Sequence, residues 1–154
     1  MRILIDADGC PVVDIVLKLC REFQIPCLLL CDTAHEFRRE GCEILVVDKG
    51  ADSVDYAIAN RVQPGDAVIT QDYGLAAMCL SRNARVLHPD GWLYSETNMD
   101  TLLLQRHTAR KLRSAGVRMK GPKKRTRQQD EAFARALGQI LKQQSTETPR
   151  EAPG

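Results

Sequence analysis

Five short apolar runs, each stopped by a polar or glycine-containing loop and followed by a stretch of helical periodicity, restrict this chain to few folds. They are residues 3–5 (Ile-Leu-Ile), 27–31 (Cys-Leu-Leu-Leu-Cys), 43–47 (Glu-Ile-Leu-Val-Val), 67–70 (Ala-Val-Ile-Thr) and 85–88 (Arg-Val-Leu-His). Runs this short and this continuously apolar read as strands buried on both faces, which is the pattern of a parallel sheet. Between them, residues 11–23 place Val12, Val13, Val16, Leu17, Cys20 and Phe23 on one helical stripe. Ser53 is a credible cap for a helix with Val54, Ala57, Ile58 and Val62 inward, and a third helix buries Leu75, Met78 and Cys79. Asp32-Thr33 ends the second strand and starts a short helix over residues 34–39. Strand and helix in alternation mean βαβ units with right-handed crossovers, hence helices on both faces of a mainly parallel sheet.

Beyond Trp92 the character changes. Asn98 is expected to cap a helix carrying Leu102, Leu103, Leu104 and Leu112, ended by Gly116. A last helix has Phe133, Leu137, Ile140 and Leu141 at core spacing. The 154 residues predict one domain over residues 1–144, with 101–144 as its helical part and 145–154 as a disordered tail. No run approaches a membrane span or a secretory signal, and six cysteines without a C-x-x-C pair suit small buried hydrophobes of a cytoplasmic protein.

Charge is distributed unevenly. Residues 1–100 carry a net charge of −7, whereas residues 101–129 hold ten Lys and Arg and no acid. Lys123, Lys124, Arg125 and Arg127, with Arg106, Arg110, Lys111 and Arg113, are expected to contact a phosphate backbone, RNA or another nucleic acid being the partner. A solvated helix face is the plainer explanation of such a run.

The acids of the first hundred residues gather by topology. Asp6 and Asp8 end the first strand, and Asp72 follows the fourth. If those two strands are neighbours, a switch point lies between them and the three carboxylates share one crevice. Asp52 and Asp55 flank the start of a helix whose N-terminus faces the same edge. Two carboxylates about 4 Å apart repel by roughly 4 kcal/mol at an effective dielectric of 20, so a cation or solvent must offset them. Hard oxygen donors suit Mg²⁺ or Mn²⁺, and such a site fits metal-assisted phosphoryl hydrolysis. Singly, each acid is equally well explained as a cap or turn former.

Residues 3–12 (ILIDADGCPV), 55–58 (DYAI), 67–76 (AVITQDYGLA) and 121–126 (GPKKRT), followed by Asp130 and Phe133, resemble the YaiI/YqxD family, a largely uncharacterised bacterial group. Its fold is similar to PIN domains, so the resemblance implies a three-layer, PIN-like Rossmannoid α/β domain. In PIN-like nucleases acids end strand one, open a middle helix and follow strand four. Here these positions are Asp6, Asp55 and Asp72, with Asp8 as the family's second aspartate and Thr70 as the threonine before the third acid. Gly9 stands where a small residue such as Ala is expected. The expectation is a nuclease using Asp6, Asp8, Asp55, Asp72 and Thr70, with Asp52 in reserve as a metal ligand. Two alternatives stay open. One is a non-catalytic RNA-binding module. The other is a phosphatase of the haloacid-dehalogenase type, which the Asp6-Ala7-Asp8-Gly9 start resembles; its glycine–aspartate pair, however, should follow a strand, and Gly65-Asp66 precede one.

Overall fold

The computed structural model describes residues 1–32, 39–48, 53–117 and 124–147. Its elements, in chain order, are β1 (Ile3–Asp6), α1 (Val13–Phe23), β2 (Cys27–Asp32), β3 (Glu43–Val47), α2 (Ser53–Arg61), β4 (Ala67–Ile69), α3 (Tyr73–Leu80), β5 (Arg85–Leu87), α4 (Glu96–Ser114) and α5 (Arg127–Glu147). All four strand pairings are parallel, in the order β3-β2-β1-β4-β5. The chain therefore winds outward from β1 in one direction, returns, and winds out in the other. This is a three-layer, Rossmann-like α/β arrangement with its switch point between β1 and β4.

Strand alternation divides the core in two. Ile3, Ile5, Leu29 and Ile69 face α1 and α5, meeting Val16, Leu17, Phe133, Leu137 and Leu141. Leu4, Leu30, Val68 and Val86 face α2 and α3, meeting Ile58, Val62, Leu75 and Cys79. Ile3, Leu4 and Ile5 are wholly buried, so β1 is covered on both sides as its unbroken apolar sequence requires. Cys27 and Cys31 share the α1 face as small buried hydrophobes.

Several helix ends differ from expectation for local reasons. Residues 11–12 form a turn, and α1 begins at Val13. Ser95, not Asn98, caps α4: its hydroxyl accepts the Asn98 N–H at 3.2 Å while the Asn98 carboxamide accepts the Ser95 N–H at 2.8 Å. Asn98 is thus the reciprocal partner of a capping box. Gly116 (φ 81°) does end this helix, its N–H bonding Arg113 O and the Val117 N–H bonding Leu112 O, the Schellman pattern. The leucines of α4 do not form a buried stripe. Met99 is buried and Leu102 packs against the core, but Leu103 and Leu104 are 54% and 65% exposed. Helix α5 continues to Glu147, past the expected boundary at 144. The short helix over 34–39 lies almost wholly outside the described residues. Among those residues, no helix is long and apolar enough to cross a membrane.

The loop between β5 and α4 is pressed onto α5. Gly91 has φ 94°, and a Cβ there would lie 2.7 Å from Ala132 C and 2.9 Å from Phe133 N, both backbone atoms of α5. Gly91→Ala is therefore expected to destabilise the protein by about 2–4 kcal/mol, combining backbone strain with an unrelievable contact. In Gly138→Ala, where a Cβ meets nothing within 4 Å, a gain of about 0.5–1 kcal/mol is expected. Urea denaturation of the two variants measures this difference, and equal stabilities would show that the loop does not bear on α5.

Candidate functional site

At the carboxyl edge of the sheet, where β1 and β4 part, Asp6, Asp8, Gly9, Cys10, Thr70, Gln71, Asp72 and Pro89 line a cleft of about 310 Å³. The register that pairs Ile5 with Ile69 brings the next residues, Asp6 and Thr70, side by side. The Thr70 hydroxyl, buried to 1% exposure, donates to Asp6 Oδ2 at 2.8 Å and accepts the Asp72 N–H at 3.0 Å. One hydroxyl thus ties the end of β1 to the start of the loop after β4. Asp72 Oδ1 in turn accepts the Leu75 N–H at 3.0 Å and caps α3. Asp8 Oδ2 accepts the Asp32 N–H at 3.1 Å, joining the first loop to the end of β2.

Of these carboxylates, Asp6 is electrostatically uncomfortable. Burial pushes Asp6 from the ordinary 3.8 up to about 6, the Thr70 hydroxyl works against that rise, and the charges of Asp72 and Asp8 add to it. Among the described residues, no Lys, Arg or His lines the cleft. Cys10 in its wall is held neutral, burial raising its thiol to about 11, so it is no nucleophile there.

The remaining expected residues fall elsewhere. Asp55 lies in the first turn of α2, half-buried, and does not line the cleft; its charge bears on Cys79 of α3. Asp52 and Lys123 lie outside the described residues. Arg125 is engaged within the fold. Its Nε binds Asp130 at 2.6 Å, its Nη1 binds Asp90 at 3.1 Å and its Nη2 binds the Pro89 carbonyl at 2.7 Å, so it clamps the start of α5 to the loop after β5. Its planar donors thus have a structural duty in the fold. Arg127 pairs with Glu131 at 3.2 Å on the exposed surface, and Lys124, Arg110 and Arg113 are exposed. Gln71 and Pro89 were not legible as cleft residues, since nothing in their own sequence neighbourhood marks them.

A larger hollow, about 430 Å³, opens at the opposite, amino edge beside Arg2, Cys27, Cys42 and Glu43. Its thiols are pushed up by their surroundings, and Arg2 is engaged by Asp66. It offers no activated group, so the carboxyl-edge cleft is the better candidate.

The donor set of that cleft is compatible with a hard divalent ion. Its acids are all oxygen donors. Yet among the described residues no three His, Cys, Asp or Glu side chains stand close enough together to enclose a metal. What fits is a hydrated ion held by one or two carboxylates and otherwise by water, the usual habit of Mg²⁺.

The Asp6 shift has a stability consequence whose sign is fixed. Because its pKa is higher in the fold than in the unfolded chain, the native state takes up the proton first, and stability is lost as pH rises through about 6. Asp6→Asn keeps an acceptor for Thr70 and removes the charge. In chelator it is expected to be more stable than wild type by about 1–2 kcal/mol near neutral pH, with that advantage fading towards about pH 4. Denaturation curves at the two pH values decide this; a neutral-pH loss in Asp6→Asn would mean the carboxylate is not strained.

Comparison with known proteins agrees on one family. A family model described as "Uncharacterized BCR, YaiI/YqxD family" matches residues 4–143. A UPF0178 protein of Exiguobacterium sibiricum is 48% identical over 141 residues, covering 92% of this chain and 96% of that protein. Another, of Ruminiclostridium cellulolyticum, is 46% identical over 151 residues, 98% of each chain. A third, of Clostridium acetobutylicum, is 46% identical over 143 residues, covering 92% and 97%. No solved structure matches the chain. With nearly its whole length matched by the family model and by relatives well above 40% identity, the chain belongs to the YaiI/YqxD family, whose members carry the name UPF0178.

Proposed function

We propose that this protein is a divalent-metal-dependent nuclease of PIN-like fold that hydrolyses phosphodiester bonds of RNA or single-stranded nucleic acid. The observation that carries the reading is the meeting of three carboxylates, Asp6, Asp8 and Asp72, in one cleft at the sheet's switch point, where burial raises Asp6 to about 6. Asp6 and Asp72, with Asp8 beside them, would hold Mg²⁺ or Mn²⁺. When bound, such an ion supplies an activated water and charge stabilisation at phosphorus.

The chain's own residues do the rest. Thr70 fixes the Asp6 carboxylate through its hydroxyl and the Asp72 backbone through its oxygen, so the two acids hold a constant separation. Asp6, which burial raises to about 6, is the carboxylate whose charge a divalent cation would relieve most. Gln71, whose amide reaches the Gly9 carbonyl at 3.4 Å across the mouth, presents a neutral donor at the cleft rim. The exposed basic residues Arg110 and Arg113 of α4, with Lys124, would attract the polyanion that the cleft itself repels.

The competing reading is a non-catalytic RNA-binding module. It draws on the structural duties that Asp8 and Asp72 perform as acceptors of backbone N–H groups. The aspartyl-phosphatase reading loses ground: Asp66 sits at the amino edge, buried, accepting the Arg2 N–H at 3.0 Å and the Gln63 N–H at 2.9 Å.

Calorimetric titration with Mg²⁺ and Mn²⁺, run beside cleavage of labelled RNA, tests the proposal. Wild type is expected to bind the ion at millimolar concentration and to cut. Asp6→Asn/Asp72→Asn should lose on the order of 10²-fold or more in rate together with the binding heat. Absence of metal binding in wild type would overturn the catalytic reading and leave the binding module.

A further inference from the structure

Beside the acidic cleft lies a second hollow of about 310 Å³, and Gln71 lines both. Three of the chain's four Tyr and Trp residues face it: Tyr73 from the start of α3, and Trp92 and Tyr94 from the loop after β5. His88 joins them. Its ring stacks on Trp92 at 4.4 Å between centroids and 10° between planes, while Tyr94 tilts against Trp92 at 4.6 Å. The opening turns of α4 complete the groove with Leu102, Gln105 and Arg106, and the Arg106 guanidinium lies 5.2 Å over the Tyr73 ring.

The groove is built from two kinds of surface. One is flat and aromatic. His88 contributes to it as an uncharged ring, since burial lowers its pKa and its Nδ1 accepts the Asp90 N–H at 2.9 Å, leaving the proton on Nε2. The 3.7 Å approach of that same Nδ1 to the Asp90 carboxylate is therefore a contact with a neutral ring. The other surface is a rim of planar hydrogen-bonding groups, namely the Gln71 and Gln105 carboxamides and the Arg106 guanidinium. Flat apolar walls with amide and guanidinium edges suit a heteroaromatic ring that carries its own donors and acceptors. The volume is at the small end for ligand pockets and suits a single base.

Resting on the nuclease reading of the adjoining cleft, we propose that this groove is a nucleobase subsite. It takes up one unpaired base by stacking, from a nucleotide next to the phosphate seated among Asp6, Asp8 and Asp72. The shared wall at Gln71 makes the two hollows one continuous track for a strand. A base paired and stacked in a duplex has no free face to offer, so the groove selects single-stranded substrate irrespective of sequence.

Trp92 is the chain's single tryptophan, so its emission reports occupancy of the groove directly. The probes are a single-stranded oligoadenylate hexamer, an abasic hexamer of the same charge, and the oligoadenylate annealed to oligouridylate. Titrations are run in chelator, on wild type and on Asp6→Asn/Asp72→Asn, so that no cleavage is needed. Quenching of Trp92 by the oligoadenylate is expected in both proteins, with binding about tenfold or more weaker for the abasic strand and for the duplex. Gln105→Ala, exposed on α4, and Tyr73→Leu should each weaken oligoadenylate binding several-fold without altering binding of the abasic strand. Equal affinity for the abasic strand and oligoadenylate, with unchanged Trp92 emission, would overturn the subsite. The two proposals separate cleanly. Base-dependent quenching without metal-dependent cleavage keeps the groove and removes the nuclease. Cleavage of abasic and normal strands at equal rates does the reverse.

Discussion

β1 has a hydrogen-bonded neighbour on each side and a packed helical layer on each face, and the remaining architecture follows from that position. Its three central side chains are wholly withdrawn from water, so the first polar group the strand reaches, the Asp6 carboxylate, stands at the boundary of a low-dielectric core. Its pKa rises for that reason before any neighbouring charge is counted. The one hydroxyl that offsets this comes from the adjacent strand, because the β1–β4 register sets Thr70 against Asp6. A slip of one residue would turn Thr70 to the other face and leave the acid without its donor. Sheet register and site chemistry are in this sense the same constraint.

The strands were legible in the amino-acid sequence, because apolar periodicity reports burial, and right-handed crossovers leave few arrangements, among them the one with β1 beside β4 that lets Asp6, Asp8 and Asp72 share a cleft. What periodicity does not encode is the reach of an individual side chain. Asp55 opens a helix at the expected edge yet bears on Cys79. Arg125 reads as one more cation in a basic run, while its partners Asp90 and Pro89 lie some 35 residues earlier and only folding brings them to it. Likewise Tyr73, Trp92 and Tyr94 are candidate base-stacking aromatics whose sequence positions say little, and with His88 they form one surface only when the loop after β5 is laid beside α3 and α4. Leu103 and Leu104 show the converse. Their apolar character suggests burial, but the helix bearing them packs only through its first turns.

The charge asymmetry acquires a spatial meaning. Asp6, Asp8 and Asp72 gather in one cleft, whereas among the described residues Arg106, Arg110, Lys111 and Arg113 of α4 and Arg127 of α5 are exposed. A concave acidic site alone would exclude anions. Cations spread over a protruding helix act at longer range through solvent and are screened by salt, so the balance between the two depends on ionic strength.

The clamp formed by Arg125 and Gly91 also bears on how the molecule comes into being. Pro89 walls the cleft and Trp92 walls the groove, yet the loop holding both is secured by residues some 35–40 positions later. The α1 side of the sheet is likewise completed by Phe133, Leu137 and Leu141 of the last helix. On the ribosome, then, the acids emerge early, but the surface they belong to is finished only when α5 has left the exit tunnel. Until that moment β1 is a half-covered apolar strand, and whatever shields nascent chains must shield this one through most of its synthesis.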